Sequence, residues 1–249
     1  MYASGLTDTG VTRSQNQDSI FVSLRSVGPL PNLFIVADGV GGHKAGDIAS
    51  KIAVEYVAGY IFNYPMAPFV QPADYLDLLL SAVQEANLVI KDFANENKEE
   101  MEGMGTTFTA CVVEEKKLYI AHIGDSRAYK ITNDKIEQIT IDHTYVQKLV
   151  SLGQITAEEA KVHPKRNVIT HALGMDLQSQ LDGYVIPHEG KFSILVCSDG
   201  LTDMLDDAEI KEIISGDLNI HERTQLLINE ANYRGGLDNI SAIIIDVGR

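Results

Sequence analysis

Four aspartates share one setting in this 249-residue chain: each stands where an apolar run gives way to a glycine or a turn. They are Asp38 in Phe-Ile-Val-Ala-Asp-Gly, Asp125 in Ile-Ala-His-Ile-Gly-Asp-Ser-Arg, Asp199 in Ile-Leu-Val-Cys-Ser-Asp-Gly, and Asp238 in Gly-Gly-Leu-Asp-Asn-Ile-Ser. A single such aspartate is an ordinary turn former; four at the ends of rigid apolar segments point to a shared site. Carboxylates brought together cannot all stay ionised without a counter-charge. Hard oxygen donors, with no Cys-His cluster at metal spacing, select Mg2+ or Mn2+ over zinc. A carboxylate bridging two such ions about 3.5 to 4 Å apart would acidify a water and clamp the oxygens of an in-line displacement at phosphorus. Arg13 then acquires a role, because a guanidinium grips two phosphate oxygens at once. His43, directly after Gly42, is a candidate to protonate a leaving alkoxide with an imidazole pKa near ~6.5.

Strands must carry these residues. Apolar runs predict them at Tyr2 to Thr7, Ser19 to Leu24, Leu33 to Ala37, Thr106 to Val113, Lys117 to Ile123, Ala128 to Ile131, Ile136 to Ile139, Leu181 to Ile186 and Phe192 to Cys197, with a last run after Asn239. Runs joined by turns as short as Glu114-Glu115-Lys116 and Asn133-Asp134 must be antiparallel neighbours. Leu33 to Ala37 is expected to end on Asp38, with Gly39, Gly41, Gly42 and Gly46 turning the chain behind it. Helical spacing covers Asp47 to Ile61 and about Ala73 to Ala94, and later a helix near Ile210 and another from about Glu222 to Tyr233. Consecutive amphipathic helices after strands imply a helical layer on a sheet.

Asp142 to Met175 interrupts the sheet with short helical pieces, one ended by Gly153 and one opened by the capping box Thr156-Ala-Glu-Glu159. An insertion of this length between strands often serves as a lid or binding segment. Its second half holds Lys161, His163, Lys165, Arg166 and His171 without any Asp or Glu, a local basic stretch in an acidic chain.

The charge balance, 20 Lys and Arg against 35 Asp and Glu, gives a net charge of -15 and argues against nucleic acid or an anionic membrane as partner. An anionic substrate would instead need bound cations or local basic groups. Cys111 and Cys197 lie inside apolar strand-like runs and read as core, with neither zinc nor redox spacing. No stretch approaches the ~20 apolar residues of a membrane span, and the N-terminus has no signal-peptide pattern. The expectation is a soluble, cytoplasmic, monomeric protein of one domain, residues 1–249, with neither repeat nor linker.

The ordered series Thr-Asp-x-Gly, Arg13, Asn16-Gln17-Asp18, Asp38-Gly-Val-Gly-Gly-His43, Gly103-Met-Gly-Thr-Thr107, Gly124-Asp-Ser-Arg127, Ser198-Asp-Gly-Leu201 and Gly236-Leu-Asp-Asn239 resembles the bacterial metal-dependent Ser/Thr protein phosphatases of the 2C class, the PPM family. It runs in family order from about Leu6 to Val247. The resemblance implies an α+β fold, a four-layer α-β-β-α sandwich of two antiparallel sheets flanked by helix pairs, with a flap at about 142–175. It implies two Mn2+ or Mg2+ ions and a third, weaker site. By matching motif, Asp38 bridges the pair, Gly39 offers a carbonyl oxygen, Asp199 and Asp238 complete the pair, Asp125 shares the third ion with Asp199, and Arg13 binds phosphate. Phosphorylated proteins, substrates of a Ser/Thr kinase, are the implied partners.

Two departures from the pattern bear on the site. Gln17 replaces a common glutamate, which should weaken one contact to a metal-bound water. Val40 stands where other members carry His or Met, leaving His43 as the candidate acid. Two rivals are a catalytically weak regulatory module of the same fold and a nucleotide binder using Gly39 to Gly46 as a phosphate loop; the latter stretch lacks both the Gly-Lys-Ser/Thr ending and the Gly-x-Gly-x-x-Gly spacing.

Overall fold

Side chains alternate across a strand, so a strand buried on both faces reads as a continuous apolar run. That is the case for β3 (Leu33–Val40), β5 (Phe108–Val113), β10 (Phe192–Cys197) and β11 (Ile240–Val247). In the computed structural model, which describes residues 1–41, 45–65, 74–175 and 181–248, these strands form the centres of two sheets.

One sheet has the order β1-β11-β10-β7-β8, with β1 at Tyr2–Asp8, β7 at Arg127–Ile131 and β8 at Ile136–Gln138. The other has the order β2-β3-β5-β6-β9, with β2 at Asp18–Ser23, β6 at Lys117–Ile123 and β9 at Asp182–Pro187; the two-residue β4 (Gly105–Thr106) pairs with β3. Every pairing is antiparallel. Between the sheets lie Phe34, Val36, Cys111, Ile120, Ile194, Val196, Ile243 and Ile245, all fully buried. The opposite faces of the same strands carry Leu33, Ile35 and Ala37, which meet α1 (Ala45–Phe62) and α2 (Tyr75–Glu96). Leu195, Cys197, Ala242 and Ile244 meet α6 (Asp207–Ser215) and α7 (Ile220–Tyr233). The layers are therefore α-β-β-α, as expected. Each fully buried Leu, Ile, Val or Phe contributes about 1.5–3 kcal/mol.

Two short helices, α3 (Tyr145–Ser151) and α4 (Ala157–Lys161), lie in the stretch that carries the chain from β8 in one sheet to β9 in the other. The α4 capping box forms as expected, Thr156 accepting from the Glu159 N–H while the Glu159 carboxylate accepts from the Thr156 N–H. Isolated bridges join Thr144 to Ile169 and Thr106 to Leu173, so the stretch is fastened beside β4.

The helix-facing side of β11 also carries a buried carboxylate. Asp246 is buried and accepts from Arg223 Nη2 at 2.5 Å and Ser193 Oγ at 2.6 Å. Arg223, also buried, donates besides to the carbonyls of Ile214 at 2.7 Å and Leu218 at 3.0 Å, tying α7 to α6 and to the sheet. Removing one partner of such a pair leaves an uncompensated buried charge. Arg223→Ala should lower the unfolding free energy in urea by about 3–5 kcal/mol, and the double change Arg223→Met, Asp246→Leu should recover most of it; a single-variant loss below about 1 kcal/mol would refute this account of the pair.

Candidate metal centre

Asp38 sits inside β3 rather than at its end. The expectation that the strand stops at Ala37 is corrected by β4: Gly39 pairs with Thr106 and Val40 with Gly105, so the ladder continues two residues past the carboxylate. Across the sheet Asp38 stands directly opposite Asp18, the first residue of β2. Side chains so paired are separated by about 4.5–5.5 Å at Cβ, close enough for like charges to destabilise the pair. Hydrogen bonds fix the Asp38 main chain on both sides. Its N–H donates to Thr107 Oγ1 at 2.9 Å, and its carbonyl accepts from the Thr107 N–H at 2.8 Å and from Thr106 Oγ1 at 2.9 Å.

Gly39 has no room for a side chain. A Cβ there would lie 2.1 Å from the Gly46 carbonyl oxygen and 2.7 Å from that of Gln17, because the first turn of α1 packs on the strand. The stretch that began as a possible phosphate cradle is thus, at Gly39, a strand pressed against a helix. His43, the expected general acid, lies outside the described residues.

Asp199 opens the short α5 (Asp199–Thr202), two residues past β10, and Asp238 lies two residues before β11. These strands are paired, which brings the two carboxylates together. Asn239 fastens the adjoining loop. Its side chain donates to the carbonyls of Thr9 at 2.8 Å and Gln15 at 2.9 Å and accepts from the Gln17 N–H at 2.8 Å. The loop so held carries Arg13, whose half-exposed guanidinium donates to Asp238 Oδ2 at 2.8 Å. Asp125 follows Gly124 in the turn after β6 and is buried. Arg127, two residues on, grips the Asp142 carboxylate with Nε at 2.9 Å and Nη2 at 2.6 Å.

Electrostatics show that the five aspartates share one place. Burial raises the Asp38 carboxyl well above its ordinary value, and Asp18, Asp199, Asp125 and Asp238 raise it further. Burial lifts Asp18 to about 6, against hydrogen bonds from Ser241 Oγ at 2.7 Å and Ser198 Oγ at 2.8 Å that pull it down. Asp199 is lifted to about 7 by burial, then by Asp203 and Asp238. Asp125 is raised by burial and next by Asp199. Asp18 was absent from the expected ligand set. Its signal in the sequence was only its place in Asn16-Gln17-Asp18, since the serines that hold it come from residues 198 and 241. The basic stretch reaches the rim, where Arg166 and Arg127 pull back the Asp203 carboxyl that burial raises.

The donor set fits hard divalent cations. Among the described residues, Asp18 Oδ1, Asp125 Oδ1 and Asp199 Oδ1 are buried without a hydrogen-bond partner, and Gln17 Nε2 nearby is likewise unpartnered. Buried carboxylate oxygens are normally satisfied, and three left without a partner on aspartates that all act on Asp38 suit a cation. No three His, Cys, Asp or Glu side chains among the described residues enclose an ion by themselves. Ions held here would keep water and main-chain oxygen in their coordination, the ordinary habit of Mg2+.

A two-sheet sandwich that pools five aspartates and one arginine around β3 and the adjoining loops defines a metal-dependent phosphoester hydrolase. The protein phosphatase 2C family model matches residues 11–230, and the chain belongs to that family. It is 36% identical over 247 residues to the serine/threonine phosphatase stp of Listeria innocua, covering 99% of this chain and 96% of that protein. The crystal structure of the serine/threonine phosphatase Stp1 from Staphylococcus aureus superposes with a TM-score of 0.90 at 35% identity, covering 98% of this chain and 94% of that one. The catalytic domain of the serine/threonine protein phosphatase PstP, solved with two manganese ions, gives a TM-score of 0.82 at 33% identity, covering 99% and 98%.

The raised carboxyls set a pH dependence. In the unfolded chain these groups titrate near 3.8, whereas folded Asp18 holds its proton to about 6 and Asp199 to about 7. Their protons therefore stabilise the metal-free fold fully below about pH 4, and that contribution is lost as pH rises through 6 to 7. EDTA-stripped protein should melt lower at pH 8 than at pH 5, Mn2+ should raise its Tm more at pH 8, and Asp18→Asn should flatten the stripped profile. A stripped Tm that climbs between pH 5 and pH 8 would contradict the assignment.

Proposed function

We propose that this chain is a metal-dependent protein phosphatase that hydrolyses phosphoserine and phosphothreonine monoesters by direct attack of water. The observation that carries the reading is the pooling of Asp18, Asp38, Asp125, Asp199 and Asp238 around one another beside Arg13. When bound, a pair of Mn2+ or Mg2+ ions supplies the positive charge that lets these carboxylates ionise and lowers the pKa of the attacking water. Asp38, Asp199 and Asp238 are assigned to that pair with the Gly39 carbonyl, and Asp125 with Asp199 to a third ion. Asp18 stands behind them as a carboxylate held by Ser198 and Ser241.

Arg13 is the phosphate clamp. Its contact with Asp238 aims the guanidinium over the site and leaves it half-exposed, so an incoming phosphate meets a cation already in position. Neither cysteine competes as nucleophile: both are buried, and burial pushes the Cys197 thiol up to about 12 and Cys111 higher still. Metal-assisted attack by water then needs no phosphoenzyme. The regulatory-module alternative is not favoured, since the sequence keeps all four motif aspartates and Arg13 and the similar proteins are named serine/threonine phosphatases.

The partners are phosphorylated proteins written by a Ser/Thr kinase, and the cytoplasm is the compartment that suits two unpaired thiols. Among the described residues no helix is long and apolar enough to cross a membrane. Residues 1–249 act as one monomeric phosphatase domain in which 142–175 is the flap.

Hydrolysis of p-nitrophenyl phosphate should require Mn2+ or Mg2+ and stop with EDTA. Arg13→Ala should cut kcat by about a hundredfold, and Asp38→Asn should abolish turnover at limiting metal. Full activity of Asp38→Asn under that condition, or turnover indifferent to EDTA, would sink the reading.

A further inference from the structure

His143 is fastened at three places, two on its imidazole and one on its main chain, and what it holds is the residue before Asp125. The Gly124 N–H donates to His143 Nδ1 at 3.2 Å, while the His143 N–H donates to the Gly124 carbonyl at 2.7 Å. A main-chain N–H has only a proton to give, so Nδ1 is the bare nitrogen of the ring and Nε2 carries the hydrogen. Nε2 lies 3.2 Å from Asp182 Oδ2 at the start of β9, and that oxygen also accepts from Tyr184 Oη at 3.0 Å. The carboxylate thereby fixes the tautomer that Gly124 needs.

Gly124 has little freedom of its own. Its φ is +108°, and a Cβ would fall 2.5 Å from Thr107 Cβ. Thr107 is the residue whose N–H and hydroxyl bind the Asp38 main chain. His143 thus holds Gly124 at both its main-chain groups, and Asp125 hangs from the held residue. The third attachment runs to the connecting stretch: the His143 carbonyl accepts from the Thr170 N–H at 2.8 Å and from Thr170 Oγ1 at 2.9 Å. The rings of His122 and His171 flank His143 at 5.0 and 5.5 Å between centroids.

We propose that His143 is a positioning residue that sets the Asp125 carboxylate through Gly124 and links its placement to Thr170, further along the same connecting stretch. It touches neither phosphate nor metal; it acts through the main chain of its neighbour. The proposal rests on the assignment of Asp125 to a metal under the proposed function. Partners that orient a metal ligand typically alter affinity by about 10–100-fold when removed.

The first test uses metal-stripped wild-type protein and no activity. Two-bond 15N–1H correlation spectra of histidine-labelled protein, assigned with His143→Asn, should show His143 protonated at Nε2 alone; a proton on Nδ1 overturns the proposal, and this arm decides even if His143→Ala fails to fold. The second is Mn2+ titration, read by calorimetry and by p-nitrophenyl phosphate turnover. His143→Ala should raise the half-saturating Mn2+ concentration about tenfold, with the loss of turnover shrinking as Mn2+ rises. His143→Asn, which keeps an acceptor near the Nδ1 position, should restore most of the shift. In an Asp125→Ala background the same His143→Ala change should leave the curve where Asp125→Ala alone puts it. An unshifted curve, or an equal added shift in that background, overturns the proposal. A wild-type enzyme without metal-dependent turnover would count against the phosphatase reading instead, and the tautomer result would still judge His143.

Discussion

The constraint on which the rest depends is the placing of Asp18 and Asp38 directly opposite each other on adjacent strands, in a part of the protein where burial raises both carboxyls. A cross-strand pair of like charges is unfavourable even on an open sheet, and desolvation makes it worse. A fold tolerates such a pair only if its frame is strong and the charge is offset, by a bound proton or by a counter-charge. The frame comes from the two sheets, whose central strands are buried on both faces. The counter-charge is the role of the divalent ions, and the buried oxygens of Asp18, Asp125 and Asp199 have no hydrogen-bond partner among the described residues.

Much of the surrounding polar structure serves this arrangement. Ser198 and Ser241 come from the ends of β10 and β11 to hold Asp18, and the Ser241 N–H donates in turn to Ser198 Oγ at 2.9 Å. Asn239 ties the loop bearing Arg13 to the loop bearing Asp238, so the guanidinium and that carboxylate are held beside each other. Close approach of main chains replaces side chains where the site is tightest, with Gly39 against Gly46 and Gly10 within 2.2 Å, by its missing Cβ, of the Asp238 carbonyl. Burial of apolar surface stabilises the sandwich; these contacts decide where its charges stand.

The layers were legible because strands buried on both faces announce themselves as apolar runs and because the helices between them have unbroken stripes, as in α2. The termination of β3 was not. Its extra residues pair with β4, two residues long and some 65 positions away, and no local pattern carries such a pairing. The same holds for α5, too short to show periodicity, and for the joining of β1 to β11 at opposite ends of the chain. At the site, Asp38, Asp125, Asp199 and Asp238 stood out by their setting at strand ends, and the structure brings them together. Asp18 and Asn239 were visible only as parts of motifs. Their roles depend on partners from distant segments, which periodicity and turn chemistry do not report. His143 had no signal in the sequence beyond its type.

The central claim is that this crowd of carboxylates is a binding site for divalent ions and not merely a strained core. Isothermal titration of metal-stripped protein with Mn2+ at pH 6, in buffers of different ionisation enthalpy, counts both the ions taken up and the protons given off. The account predicts at least two ions bound with net proton release, and loss of that binding together with its proton release in Asp38→Asn. Binding by Asp38→Asn that matches the wild type in number and affinity, or binding by the wild type without proton release, would contradict it.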